Sequence, residues 1–211
     1  MNKIIIISLI LSISLLGMSF LEDEKLETLT IGSKAPLQDY EMKSTSGEKL
    51  DLKSQLQDNG LIVVFSCNTC PFVIGGENFP GWEKDYNELN AFSNQKGMGF
   101  VLVNSNEAKR KKGDGLKDMI NRSKEKKYQM SYLLDANHKL ADAFGAKTTP
   151  HIFMFDKNMT LIYEGSIDNS WKPKVDEKET YLIDAIKSHS EGKKIKLNKT
   201  APKGCSIKRK S

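Results

Sequence analysis

The sequence predicts an α/β fold: a mixed central β-sheet flanked by helices on both faces, with an N-terminal β-hairpin extension. Three observations carry that reading. Two continuous apolar runs, Leu61-Ile62-Val63-Val64-Phe65 and Gly99-Phe100-Val101-Leu102-Val103, look like strands buried on both faces. Each is followed by a segment of helical spacing. Later, His151-Ile152-Phe153-Met154-Phe155 and Leu161-Ile162-Tyr163-Glu164-Gly165 flank Asp156-Lys157-Asn158, an antiparallel hairpin signature. Strand and helix alternate first, then a hairpin and a last helix close the chain, which mixes strand directions in one covered sheet.

The elements follow in order. Residues 1–19 have a charged start at Lys3, the apolar run from Ile4 to Leu11, and small residues at Gly17 and Ser19 before Glu22-Asp23-Glu24, the pattern of a secretory signal peptide. The apolar stretch falls short of the ~20 residues of a membrane span, so a retained anchor is the weaker reading. No cysteine follows it to mark a lipid anchor. Residues 20–31 form a polar N-terminal arm. Segments 39–42 and 49–52 flank Ser44-Thr45-Ser46-Gly47, a short hairpin. The segment after Cys70, through Trp82, Tyr86, Leu89 and Phe92 to Gly97, has helical spacing, and Pro80-Gly81 predicts a kink in it or a break into two pieces. A helix over 115–127, a strand at 132–134 and a helix over 138–144, stopped by Gly145, come next. The last helix spans 179–191. The domain is bounded at 32–192, and residues 193–211 are a basic, irregular tail.

Composition narrows the function. The chain has 211 residues, 38% hydrophobic and 28% charged, which suits one domain with a sizeable core. The formal charge of +5 is spread along the chain. Nucleic-acid binding would want a basic stripe with interleaved aromatic residues. The clusters 109–112, 124–127 and 208–210 lie in polar surroundings and read as solvated faces. With no second long apolar segment, no stable membrane insertion is expected once the signal is cleaved, and no nucleic-acid partner.

The three cysteines, Cys67, Cys70 and Cys205, all follow the signal segment, so the predicted compartment, periplasmic or extracellular, lets disulfides persist. Three is too few for a disulfide scaffold, and a bridge across Cys67-Asn68-Thr69-Cys70 closes too short a loop to stabilise the fold much. Reactivity is the better reason for the pair. Cys67 follows a buried strand and is expected to open a helix, where free N–H groups lower a thiol from about 8.5 toward about 3.5–7.5. Cys67 is then the exposed attacking thiolate and Cys70 the more buried resolving thiol, so the pair accepts or donates two electrons by exchange. Pro71 fits the first turn of that helix. A C-x-x-C pair is also half a zinc site, but Cys205, His138, His151 and His189 show no knuckle spacing, and Pro71 excludes a c-type haem attachment. No metal or cofactor is expected.

Gly32-Ser33-Lys34-Ala35-Pro36, Val63-Val64-Phe65-Ser66-Cys67-Asn68-Thr69-Cys70-Pro71 and Phe144-Gly145-Ala146-Lys147-Thr148-Thr149-Pro150 together resemble the thioredoxin-like superfamily. The resemblance runs from Gly32 to about Gly192, roughly three quarters of the chain. It is to extracytoplasmic redoxin-domain proteins, AhpC/TSA-related and TlpA/ResA-like. It implies a thioredoxin fold and a thiol–disulfide oxidoreductase acting on protein or small-molecule thiols and disulfides, with a thiol protein as electron donor or acceptor. It also implies that Pro150 is a cis proline facing the cysteines and that Thr149 offers its backbone to an extended substrate.

Asn68-Thr69 is neither the Gly-Pro of thioredoxins nor the Pro-His of strong oxidants. The strand before Cys67 lacks the buried carboxylate many thioredoxins place there; Glu77 and Glu83 read as solvated helix residues or as its substitutes. Two rivals share the fold. A peroxiredoxin-like peroxidase resembles Pro-x-x-x-Thr-x-x-Cys, whereas Gly60 and Val64 stand at the proline and threonine positions here. A non-catalytic metal-handling protein resembles C-x-x-x-C with a downstream His, and the spacing here is one residue short. His151 reads as a hydrogen-bonded structural residue, and His138 and His189 as helix-surface residues. Trp82 reads as core or as shelter for the disulfide, Trp171 as the rim of a substrate groove, and Cys205 as an unpaired tail thiol or a third redox thiol that folds back to the pair.

Overall fold

The computed structural model describes residues 26–77, 79–172 and 177–210. The signal segment expected over 1–19 lies outside them. The elements are β1 (Met42–Ser44), β2 (Lys49–Leu50), β3 (Gly60–Ser66), α1 (Pro71–Ile74), α2 (Tyr86–Gln95), β4 (Met98–Asn104), α3 (Leu116–Lys126), β5 (Ser131–Leu134), α4 (Lys139–Phe144), β6 (Thr148–Thr149), β7 (His151–Asp156), β8 (Leu161–Gly165), α5 (Tyr181–Ser190) and β9 (Cys205–Ser206). Seven strands make one sheet, ordered β2-β1-β5-β4-β3-β7-β8, while β6 and β9 pair separately. β4 runs parallel to both β3 and β5. β7 runs against β3 and β8, and β1 against β5 and β2. This is the mixed sheet of a thioredoxin fold, and the N-terminal hairpin is its outer edge.

The apolar runs become the central strands because nothing in them needs water: every residue of β3 and β4 is buried. Their side chains alternate between two cores. Ile62, Val64, Phe100, Leu102, Ile152 and Met154 point to the side covered by α2, α3 and α5. Leu61, Val63, Phe65, Val101 and Phe153 point to the other, closed by α4 and by Leu29, Ala35 and Leu37 near the N-terminus. Each buried side chain of this size stabilises by about 1.5–3 kcal/mol, so these two layers outweigh the polar two-residue strands.

The break expected at Pro80-Gly81 separates α1 from α2. Gly81 has φ +76°, and a Cβ there would sit 2.3 Å from both the Gly75 nitrogen and the Val73 carbonyl oxygen, so the chain can fold back against α1 only with glycine. Among the described residues, no helix is long and apolar enough to cross a membrane. The tail is less irregular than expected: β9 lies antiparallel on β6, with Thr149 opposite Cys205.

Candidate active site

β3 delivers the chain to Ser66, whose hydroxyl is 3.0 Å from that of Tyr86. Residues 67–70 then turn, and α1 begins at Pro71 with Cys70 at its N-cap. The turn is clamped by a residue the sequence reading did not single out. Asp114 is fully buried and accepts the Asn68 N–H (2.7 Å), the Thr69 hydroxyl (2.7 Å), and the side-chain amides of Asn104 (2.8 Å) and Asn106 (3.1 Å). Hydrogen bonds to a charged group contribute about 1.5–3 kcal/mol each, so Asp114 fixes the turn strongly. Asn68 also donates to the Gly113 carbonyl (2.9 Å) and accepts from the Tyr132 hydroxyl (3.0 Å). Arg110 donates to the Asp114 and Asp135 carbonyls at 2.8 and 2.7 Å, which makes it the exception in a cluster read as solvated.

Both thiols converge on Thr149. The Cys67 sulfur lies 3.1 Å from the Thr149 hydroxyl, and Cys70 donates to the Thr149 carbonyl at 3.1 Å. The Thr149–Pro150 peptide is cis. Cys67, Cys70, Thr149 and Pro150 therefore meet in one place, and β9 brings Cys205 there as well. The backbone edge of Thr149, which the resemblance gives to substrate, is paired with Cys205.

The expected order of burial of the two thiols is corrected. Cys67 precedes the helix by a turn instead of opening it, and it is the less exposed of the two, 1% against 3%. Burial pushes the Cys67 thiol well up, helped by its hydrogen bond to Cys70 and by the negative charge of Asp114. Cys70 is pulled down to about 5, first by the hydrogen bond from Cys67 and then, against its own burial, by the S–H and N–H of Cys205 and by Thr149. Of this coupled pair, Cys70 is the thiol whose pKa is lowered.

A family model described as Redoxin matches residues 30–182. The chain belongs to the redoxin family. No curated protein matches the sequence. Among solved structures, an uncharacterized conserved protein from Geobacillus kaustophilus is 28% identical, with TM-score 0.72 over 86% of this chain and 93% of that one. A hypothetical protein from Sinorhizobium meliloti 1021 is 26% identical, with TM-score 0.76 over 88% and 97%. Peroxidoxin BcpB from Mycobacterium tuberculosis, 14% identical with TM-score 0.54 over 78% and 97%, shares the fold. The family makes this redoxin a thioredoxin-type redox protein.

The other residues read from the sequence fall into supporting places. His151 of this redoxin is fully buried; its Nδ1 accepts the Lys147 N–H (3.1 Å) and its Nε2 lies 2.6 Å from Glu164, while burial lowers its pKa. Both ring nitrogens are spent, as expected of a structural histidine. His138 and His189 bond to Asp142 and to the Asn59 carbonyl. Glu83 is buried but bound to Arg122 (2.7 Å) and to the Tyr128 hydroxyl (2.6 Å), and Glu77 is exposed, so neither is a free carboxylate beside the thiols. Trp82 is core, sharing a cluster with both cysteines, and its indole N–H donates to Asp168 at 2.7 Å. Val64 is core too and brings no hydroxyl to Cys67. Asp114 escaped notice because it stands in a Lys/Gly loop; its position between Gly113 and Gly115, where the backbone can turn tightly, was the available signal.

Proposed function

We propose that this redoxin is an exported thiol–disulfide oxidoreductase that cycles Cys67 and Cys70 between dithiol and disulfide. The observation that carries the reading is the convergence of the two sulfurs on Thr149, each 3.1 Å from one of its oxygens, in the turn that precedes α1. A thiolate on Cys70 attacks a client disulfide, the client's leaving sulfur departs as thiolate, and Cys67 then displaces the second client sulfur to close the Cys67–Cys70 bridge. The reverse sequence oxidises a client dithiol. Clients are protein or small-molecule thiols and disulfides, and a second thiol protein supplies or removes the electrons. Export rests on the signal-like residues 1–19.

The test is insulin reduction by dithiothreitol. The wild type should accelerate it, and Cys67→Ser and Cys70→Ser should both fall to the uncatalysed rate. Rapid consumption of peroxide with no effect on disulfides would replace this reading with a peroxidase.

A further inference from the structure

The exchanging pair is nearly sealed, with Cys67 and Cys70 1% and 3% exposed, so direct attack on a protein client through either sulfur is slow in this arrangement. The cover is the chain's own tail, and it is built in closely. A Cβ on Gly204 would lie 2.2 Å from the Thr149 carbonyl oxygen, so only glycine lets the tail approach this edge. Ile207 is buried in the core beneath α4, and its N–H donates to the Lys147 carbonyl at 3.0 Å. Lys208 donates its N–H to Asn106 (2.9 Å), and Arg209 bonds to Asp142 and the Ala146 carbonyl, both at 2.7 Å. Upstream, the Lys203 ammonium sits 4.4 Å from the centre of the Trp171 ring. Between these anchors lies Cys205, more exposed than the pair, opposite Thr149, whose carbonyl meets the Cys70 sulfur at 3.1 Å, and packed against the core cluster that holds both cysteines.

We propose that Cys205 is a third redox thiol, carrying the disulfide between the buried Cys67–Cys70 pair and clients at the surface. The proposal rests on the reading of that pair as an exchanging dithiol. In the oxidised protein the Cys205 thiolate attacks the Cys70 sulfur. A Cys70–Cys205 bond forms, the Cys67–Cys70 bond breaks, and the electron pair leaves on Cys67, which takes up the proton that Cys205 gave away. No electrons are gained or lost in this isomerisation. A client thiolate then attacks the Cys205 sulfur and Cys70 departs as thiolate. A second client thiol displaces Cys205, leaving three protein thiols and a client disulfide.

The local chemistry favours the second step, in which Cys70 is the leaving thiol. A leaving thiol departs faster the lower its pKa, and Cys70 is held at about 5. Cys205 is pushed up to about 11 by burial and by its hydrogen bond to the Cys70 sulfur, and the second hold weakens once Cys70 is bridged and uncharged. Lys208 and the Phe72 N–H act the other way, toward the Cys205 thiolate.

Two full-length variants test the relay. Cys67→Ser, treated with oxidised glutathione and mapped by peptide mass, should form a Cys70–Cys205 bridge; glutathione adducts on both sulfurs with no bridge would overturn it. Cys205→Ser should still close the Cys67–Cys70 bridge with oxidised glutathione yet turn over insulin at least about tenfold more slowly than wild type, a loss of about 1.4 kcal/mol in transition-state stabilisation. Equal rates would remove the relay and leave the pair intact as the catalyst. If wild type and Cys205→Ser both fail to close the Cys67–Cys70 bridge, the underlying reading falls, and the relay with it.

Discussion

On one side of the sheet, Phe65, Phe144, Phe153 and Phe155 meet edge to face, with ring centres 5.1–5.6 Å apart. On the other, Cys67 and Cys70 pack among Trp82, Tyr86 and Tyr132, aromatic rings that carry a polar atom. Each of those polar atoms has a partner: Asp168 for Trp82, Ser66 for Tyr86, Asn104 and Asn68 for Tyr132. The first side gains stability from shape and area alone. The second gives up some apolar area to hydrogen bonds that hold a turn, and the turn holds the sulfurs. Stability and sulfur chemistry should therefore respond to different mutations.

The largest expected effect on stability lies on the ring side. Phe153→Ala should cost about 3–5 kcal/mol in urea unfolding, because it opens a cavity among three rings. Its thiolate absorbance at 240 nm should titrate as in wild type; a displaced titration would show that the two sides are not separable.

Asp114→Asn comes next, and it should move chemistry more than fold. Loss of the buried carboxylate weakens four hydrogen bonds, with an expected cost of about 1–3 kcal/mol. Removing the negative charge should also lower the Cys67 pKa, since Asp114 raises it. A pure stability loss with an unchanged Cys67 titration would make Asp114 structural only.

The smallest effect is a pH dependence. In the reduced protein Cys70 sits at about 5, below the ~8.5 of a free thiol. A lowered folded-state value stabilises above the unfolded-state value, and that contribution is lost as pH falls through the folded one. The Cys70 contribution should therefore decline from about pH 8.5 to about pH 5, and Cys70→Ser should lack that decline. Cys67, raised by burial, opposes it only above about pH 8.5. Alkylation of the reduced protein at mildly acidic pH should accordingly label Cys70 ahead of Cys67, and the reverse order would make Cys67 the attacking thiol.

The same contrast explains what was legible in the sequence. The ring side and the central strands could be read because β-branched and aromatic runs of five residues leave few alternatives, and Pro80-Gly81 marked the helix break through local backbone chemistry. The motif and the Thr149-Pro150 partner were legible as a resemblance. The arrangement of charge among the thiols was not, because it depends on contacts distant in sequence: Asp114 with Asn68, and Cys205 with Cys70. Nor was β9 readable, since two polar residues carry no strand signal and their position is set by Gly204 and Ile207 on either side.

The central claim is that Cys67 and Cys70 form a reversible two-electron couple. Equilibrating the Cys205→Ser protein across glutathione redox buffers and weighing the peptide that spans both cysteines tests it most directly. The expected result is a single transition to a peptide lighter by two hydrogens, with no glutathione attached. A peptide that stays a dithiol throughout, or that carries glutathione on separate sulfurs, would contradict the account.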